Sequence, residues 1–370
     1  MRTLITGAGG YLGGLIARRL VHDLEQPVHL WIHADSEEQA EVKIARLRPE
    51  FAGREELVTW GWGALEADAP FGRVQVGDIG AIVHTAAIYR FNVTEDVAQR
   101  VNVEGTRKVM ELAARCPGLD HVSLLSSFYA SGLRAGLIAE APLEPGDCEG
   151  FTNPYERSKA RSEDEVRARP DLPWNIYRAG LVIADDPGGH VTQFNAFHQT
   201  LRLFHGGHLS VMPGDPASRL YLVTGAFVAR AVVDLLRSRS THRIVNVVHG
   251  PEHGIPLDAV LDLVYETFLQ DPDFRRRHLP RPIWTDLEGF DLLVEGLSGF
   301  GSPLVRKAFD SVASFARQMF VHKVAVNANL LAALPGYEAE DQAELVRRTC
   351  LYLVKSRFGR DEVAPGAISG

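Results

Sequence analysis

Three groups of residues in this 370-residue chain have types and spacings suited to chemistry. The first is Thr6-Gly7-Ala8-Gly9-Gly10-Tyr11-Leu12-Gly13, in which Gly7, Gly10 and Gly13 recur at intervals of three. It lies between a short apolar run and a stretch of helical spacing. Glycine there permits a tight turn, lets backbone approach a pyrophosphate, and allows close helix–strand packing, with the phosphates at the positive end of the helix. In this context nucleotide binding is the expected reading, against a bland turn. The second is Tyr155-Glu156-Arg157-Ser158-Lys159. Positions four apart share a helix face, so phenol and ammonium can address one site. A phenol titrates near ~10, too high for acid/base work at neutral pH, and a neighbouring cation favours its phenolate. The alternative is an exposed helix with a partly buried tyrosine. The third is Ser126-Ser127, closing the apolar run Leu124-Leu125. Ligands of open α/β sheets bind at that strand edge, although a serine pair alone is commonly a turn.

The elements that must position these residues alternate from the start. Thr3–Thr6, Pro27–His33, Ala81–Ala87, His121–Ser126, Trp174–Val182 and Arg243–Val248 read as strands. Tyr11–Leu20, Glu37–Leu47, Val97–Ala114, Asn153–Arg169 and Phe227–Arg237 read as helices. That alternation predicts βαβ units and a mainly parallel sheet. A turn-rich break at Asp185-Asp186-Pro187-Gly188-Gly189 precedes a change of character, and the chain beyond residue 251 is largely helical with a long apolar stretch from Phe290 to Leu334. Two parts are expected: a nucleotide-binding body at 1–185 plus 227–250, and a substrate-binding, largely helical part at 186–226 plus 251–370.

Composition excludes several classes. With 45% hydrophobic and 23% charged residues the chain reads as globular, and a net charge of −8 argues against nucleic acid as partner. Cys116, Cys148 and Cys350 are widely spaced and match no zinc framework, which suggests reduced thiols, a cytoplasmic location and no metal. No apolar run reaches the ~18–20 residues of a transmembrane segment.

The three groups, in this order, resemble the extended short-chain dehydrogenase/reductase family. His84-Thr85-Ala86-Ala87 and Asn102-Val103-Glu104-Gly105-Thr106 add to the likeness. Within that family the chain is similar to the thioester reductase and fatty acyl-CoA reductase branch. This rests on Ala34-Asp35-Ser36-Glu37-Glu38-Gln39-Ala40 with Arg46-Leu47, and on Ile176–Asp185 followed by Gly188-Gly189. The resemblance implies a Rossmann-type doubly wound parallel sheet with a smaller, mainly helical substrate domain. It implies Tyr155 as proton donor, Lys159 as holder of the nicotinamide ribose that also lowers the phenol's pKa, and Ser127, the second serine, as partner of the substrate carbonyl. Gly7, Gly10, Tyr11, Leu12, Gly13, His33, Ser36, Ala86 and Ala87 would join Tyr155 and Lys159 in binding cofactor, and Asn102 would brace backbone. Two departures bear on the cofactor. His33 stands where the branch carries an arginine for the 2′-phosphate of NADPH, with Asp35 nearby, and Gly63-Ala64 replaces the branch's Gly-Asp. NADPH is the expectation, with NADH the alternative.

The implied reaction is NAD(P)H-dependent reduction of an acyl thioester, on coenzyme A or an acyl or peptidyl carrier protein, to an aldehyde that either leaves or is reduced again to an alcohol. The rivals are a ketone or secondary-alcohol oxidoreductase and a non-catalytic nucleotide-binding sensor. His198, His205, His208 and Asp215 match no metal spacing. Arg275-Arg276-Arg277-His278 reads as a solvated corner or a phosphate-docking patch. The apolar tail around Phe290, Leu292, Leu293, Val294, Leu297, Phe300, Leu304, Val305, Phe309, Phe315, Met319 and Phe320 reads as core or as a channel for a medium or long acyl group, with Gly296, Gly299 and Gly301 permitting bends.

Overall fold

In the computed structural model, seven strands lie side by side at the centre of the chain. They are β1 (Arg2–Thr6), β2 (Val28–His33), β3 (Val58–Gly63), β4 (Ile79–His84), β5 (His121–Ser127), β6 (Trp174–Ala179) and β7 (Arg243–Val247). Residues 1–89, 93–144, 150–238, 240–300, 313, 315–334 and 336–361 are described here, without the side chains of 293, 294 and 297–300. The strand order is β7-β6-β5-β4-β1-β2-β3, and every pairing is parallel. Parallel strands with helices on both faces must be apolar on both sides, and β5 and β6 are buried at every position. The order reverses between β1 and β4, where a crevice opens above the carboxyl ends of the strands.

The helices include α1 (Tyr11–Arg18), α2 (Glu37–Leu47), α3 (Gly105–Ala113), α4 (Pro154–Arg167), α5 (Ala196–His205), α6 (Gly225–Arg237), α7 (Leu257–Phe268) and α8 (Gln342–Lys355), with a further helix at Leu287–Phe300. Helix α4 starts where local chemistry says it should: the Asn153 side chain accepts from the Glu156 amide at 3.0 Å, and Pro154 occupies the first turn. One apolar layer joins α1 and α6 to the sheet through Ile5, Ile16, Val83, Val228 and Val232. A second layer covers the opposite face through Leu4, Val109, Leu112, Val122 and Ile176.

A separate apolar core, away from the sheet, draws Leu201, Val264, Phe268, Phe290 and Leu353 together from α5, α7, α8 and the segment beginning at Leu287. Phe290 is fully buried there, whereas Leu292 is exposed. The side chains of Leu293, Val294, Leu297 and Phe300, together with Gly301, Leu304, Val305 and Phe309, lie outside the described residues. Residues after 251 do not all join this core. Lys323–Ala325 pairs in parallel with Gly136–Ile138, and Leu330 enters the sheet-side layer. Hydrogen bonds cause that return: Asn329 Nδ2 donates to Ile244 O at 2.9 Å, and Asn246 Nδ2 donates to Val326 O at 2.7 Å. No helix among the described residues is long and apolar enough to cross a membrane.

Candidate active site

The crevice at the switch point is a cleft of about 680 Å³. Its floor is the glycine loop, and Gly7, Gly10, Tyr11, Leu12 and Gly13 all face it. Gly7 adopts φ +74, and a Cβ there would sit 2.6 Å from the Ala86 amide nitrogen, so only glycine lets the β1 and β4 turns meet. Ala86 and Ala87 line the opposite wall of the same cleft. The two turns are tied by Thr85 Oγ1 donating to Thr6 O at 2.7 Å and by Thr6 Oγ1 against His84 Nδ1 at 2.7 Å. Burial and the nearby Lys159 charge lower the His84 pKa to about 3, so this imidazole is a neutral clamp.

Ser127, Tyr155 and Lys159 converge on the cleft from β5 and α4. The Ser127 hydroxyl hydrogen-bonds to the Tyr155 phenol and accepts from the Tyr129 amide at 3.2 Å. Burial raises the phenol to about 12; the Ser127 hydrogen bond lowers it and the Glu156 charge raises it further. Lys159 Nζ donates to Leu125 O at 2.7 Å, and burial lowers its pKa to about 8 against the opposing pull of Glu163. The phenol of this structure is held strongly protonated, the form a proton donor needs.

The neighbouring Ser126 has a different task. Its hydroxyl donates to Glu163 Oε1 at 2.6 Å, and Glu163 pairs with Arg178 at 2.7 Å, with both charged side chains buried. Arg178 also donates to Ala139 O and Ala141 O at 3.1 and 3.0 Å. Asn102 braces backbone: its amide donates to Ile88 O at 3.0 Å and to Ser158 Oγ at 2.8 Å.

At the far end of the cleft His33 is exposed, with Asp35 Oδ1 3.9 Å away. Ser36 does not line the cleft. Its hydroxyl caps α2 by accepting from Gln39 N at 3.2 Å. Lys43 and Arg46, one helical turn further along α2, line the cleft instead. Neither was singled out as a contact from sequence, although a cation at a spacing of three or four on α2 is the signal that could have found them. Leu65 and Glu66 occupy the place near Gly63-Ala64.

Two residues from far along the chain lock the catalytic loop, and sequence reasoning missed both. Gln318 Nε2 donates to Glu156 Oε2 at 3.0 Å and to Gly132 O at 3.1 Å, and Lys323 Nζ donates to Ser131 Oγ at 2.8 Å. The histidines considered as ligands are dispersed. His198 Nε2 bonds Ile183 O, His205 pairs with Asp271, and Asp215 pairs with His322. In the arginine corner Arg276 pairs with Asp273, and Arg277 lies over the Phe274 ring.

Comparisons with known proteins agree with this geometry. Residues 70–232 match the family model described as Male sterility protein, an NAD-binding family. Over 298 residues, 68% of this chain and 58% of the relative, it is 26% identical to "Fatty acyl-CoA reductase wat" of Drosophila melanogaster. A shorter stretch of 71 residues is 35% identical to "Fatty acyl-CoA reductase 2, chloroplastic" of Arabidopsis thaliana, covering 19% of this chain and 12% of that protein. The chain thus spans less than two thirds of either relative. The terminal R domain from the myxalamid PKS-NRPS pathway has the same fold, with a TM-score of 0.73 at 22% identity over 97% of this chain and 92% of that one. The matched family model and the fatty acyl-CoA reductase relatives thus support a likeness to the thioester reductase and fatty acyl-CoA reductase branch of the extended short-chain dehydrogenases/reductases.

Proposed function

We propose that the chain reduces acyl thioesters with NADPH. The observation that carries this reading is the hydrogen-bonded Ser127–Tyr155 pair with Lys159 beside it, facing the glycine loop across one cleft. The names of the fatty acyl-CoA reductase relatives point to an acyl thioester on coenzyme A, and the branch resemblance adds a carrier protein as the alternative. Residues 1–185 with 227–250 carry the cofactor in this reading, and 186–226 with 251–370 supply the substrate side.

A nicotinamide in this cleft supplies hydride to the thioester carbon. Ser127 and Tyr155 then hold the carbonyl oxygen as negative charge develops on it, in the manner of an oxyanion hole. The C–S bond breaks, the aldehyde forms, and the thiolate takes the proton that Tyr155 delivers. One thioester, one NADPH and one proton yield one aldehyde, one thiol and NADP⁺. Lys159 holds the nicotinamide ribose. Lys43 and Arg46 meet the 2′-phosphate in place of the branch's arginine at position 33, which favours NADPH over NADH.

The test mixes the chain with NADPH and a panel of acyl thioesters and identifies products by mass. Aldehyde or alcohol with released thiol is the expected result. Turnover of ketones alone would overturn the reading.

A further inference from the structure

We infer that an apolar pocket beside the catalytic cleft receives the far end of the acyl chain and sets its length; this deepens the thioester reading and rests on it. The cavity measures about 140 Å³ and lies in the helical core, walled by Leu201, Phe204, Val260, Leu261 and Val264 of α5 and α7. Leu181, Asn195 and Phe315 line both the cleft and the cavity, so these three side chains form the partition between them. The Phe315 ring meets the edge of Tyr129 at 4.9 Å, and Tyr129 lies two residues beyond Ser127 and lines the cleft. A chain whose carbonyl sits at Ser127 thus has a short path past Phe315.

The chemistry of the wall selects the occupant. Its polar side chains are already engaged: Asn195 Nδ2 donates to Val182 O at 2.7 Å and its Oδ1 accepts from Phe197 N at 3.0 Å. Thr200 Oγ1 donates to Ala196 O at 2.9 Å, and Trp284 Nε1 donates to Asp258 Oδ1 at 2.7 Å. Among the described residues the rest of the wall is apolar, so a hydroxyl or carboxylate entering here would give up its water for few partners, and the cavity favours methyl and methylene groups. An engineered protein cavity of roughly 150 Å³ with Leu, Ile and Phe walls stays dry and binds benzene, which puts the capacity here at about six carbons.

The experiment measures kcat/KM with NADPH for coenzyme A thioesters of two to sixteen carbons. Each methylene entering the cavity is expected to raise kcat/KM about fourfold, over a window of about six carbons, before a plateau. An ω-carboxylate on a chain that reaches the cavity is expected to abolish the gain. Val260→Phe, which fills the cavity, should lower the long-to-short ratio at least tenfold, and Leu201→Ala, which enlarges it, should move the plateau to longer chains. Each ratio is internal to one enzyme preparation, so the active fraction cancels, and the wild-type series stands if a variant fails to fold. Reduction of thioesters with no dependence on length overturns the inference and leaves the function standing. So does a long-to-short ratio unchanged in both variants. Reduction of no thioester at any length overturns the proposed function and this inference with it.

Discussion

At one end of the cleft Ser127 and Lys159 stand buried and Tyr155 half-buried, each held by a hydrogen bond, with Gln318 and Lys323 stitched behind them. At the other end His33 and Arg46 stand in solvent, and Lys43 donates to the His33 carbonyl from the surface of α2. Burial makes the first end exacting. A group that loses its partner there cannot turn to water, and small displacements change the chemistry. The second end works by charge in high dielectric, where side chains move and salt screens. The catalytic end should therefore govern turnover, and the exposed end only the choice of cofactor.

The largest effect expected is at Tyr155. Tyr155→Phe removes only the phenolic hydroxyl and should lower kcat by about 10²–10⁴-fold, with cofactor affinity nearly intact. Steady-state rates and a cofactor fluorescence titration measure the two separately. Wild-type turnover in this variant would break the contrast at its stronger end.

Next comes the buried ion pair under the catalytic strand. Arg178→Met leaves the Glu163 charge buried without its partner and should cost about 3–5 kcal/mol of stability in a denaturant titration. Adding Glu163→Leu should restore much of the loss, because the stranded charge goes with it. For comparison, Glu95→Gln at the exposed pair with Arg157 should leave the denaturation midpoint nearly unchanged.

A pH profile sharpens the comparison further. Since burial places Lys159 near about 8, its ammonium is present below that pH and lost above it. Cofactor affinity should fall as pH rises through about 8, while the Tyr155 phenol, near about 12, does not titrate in that range. Lys159→Met should bind cofactor more weakly at neutral pH and lack the alkaline fall. If that fall persists in Lys159→Met, another group causes it.

The smallest effect belongs to the exposed end. Arg46→Ala should raise KM for NADPH about three- to tenfold, leave NADH unchanged, and lose its effect at high salt. Equal losses for both cofactors would remove Arg46 from the 2′-phosphate.

Features governed by short-range geometry were legible in the residues themselves. Gly7, Gly10 and Gly13 between a strand and a helix specify a turn whose backbone allows no Cβ, and the structure has that turn. The four-residue spacing of Tyr155 and Lys159 places both on one face of α4, because a helix repeats every 3.6 residues. Alternation of apolar runs with helical ones was enough for a parallel sheet. What tertiary structure alone decided depends on contacts between distant residues. Ser126 and Ser127 are chemically alike, and neighbours on a strand point to opposite faces. Both line the cleft, and only the packing of α4 shows that the Ser126 hydroxyl is spent on the Glu163–Arg178 pair while the Ser127 hydroxyl meets Tyr155. The Ser36 hydroxyl caps α2, while Lys43 and Arg46 reach the cleft because α2 turns that face toward it. The apolar cavity takes its walls from residues 181–220, 257–264, 284 and 315–319, so no local pattern encodes it. Burial is a property of which segments meet, and the spacing of residues along one segment carries no record of its partners.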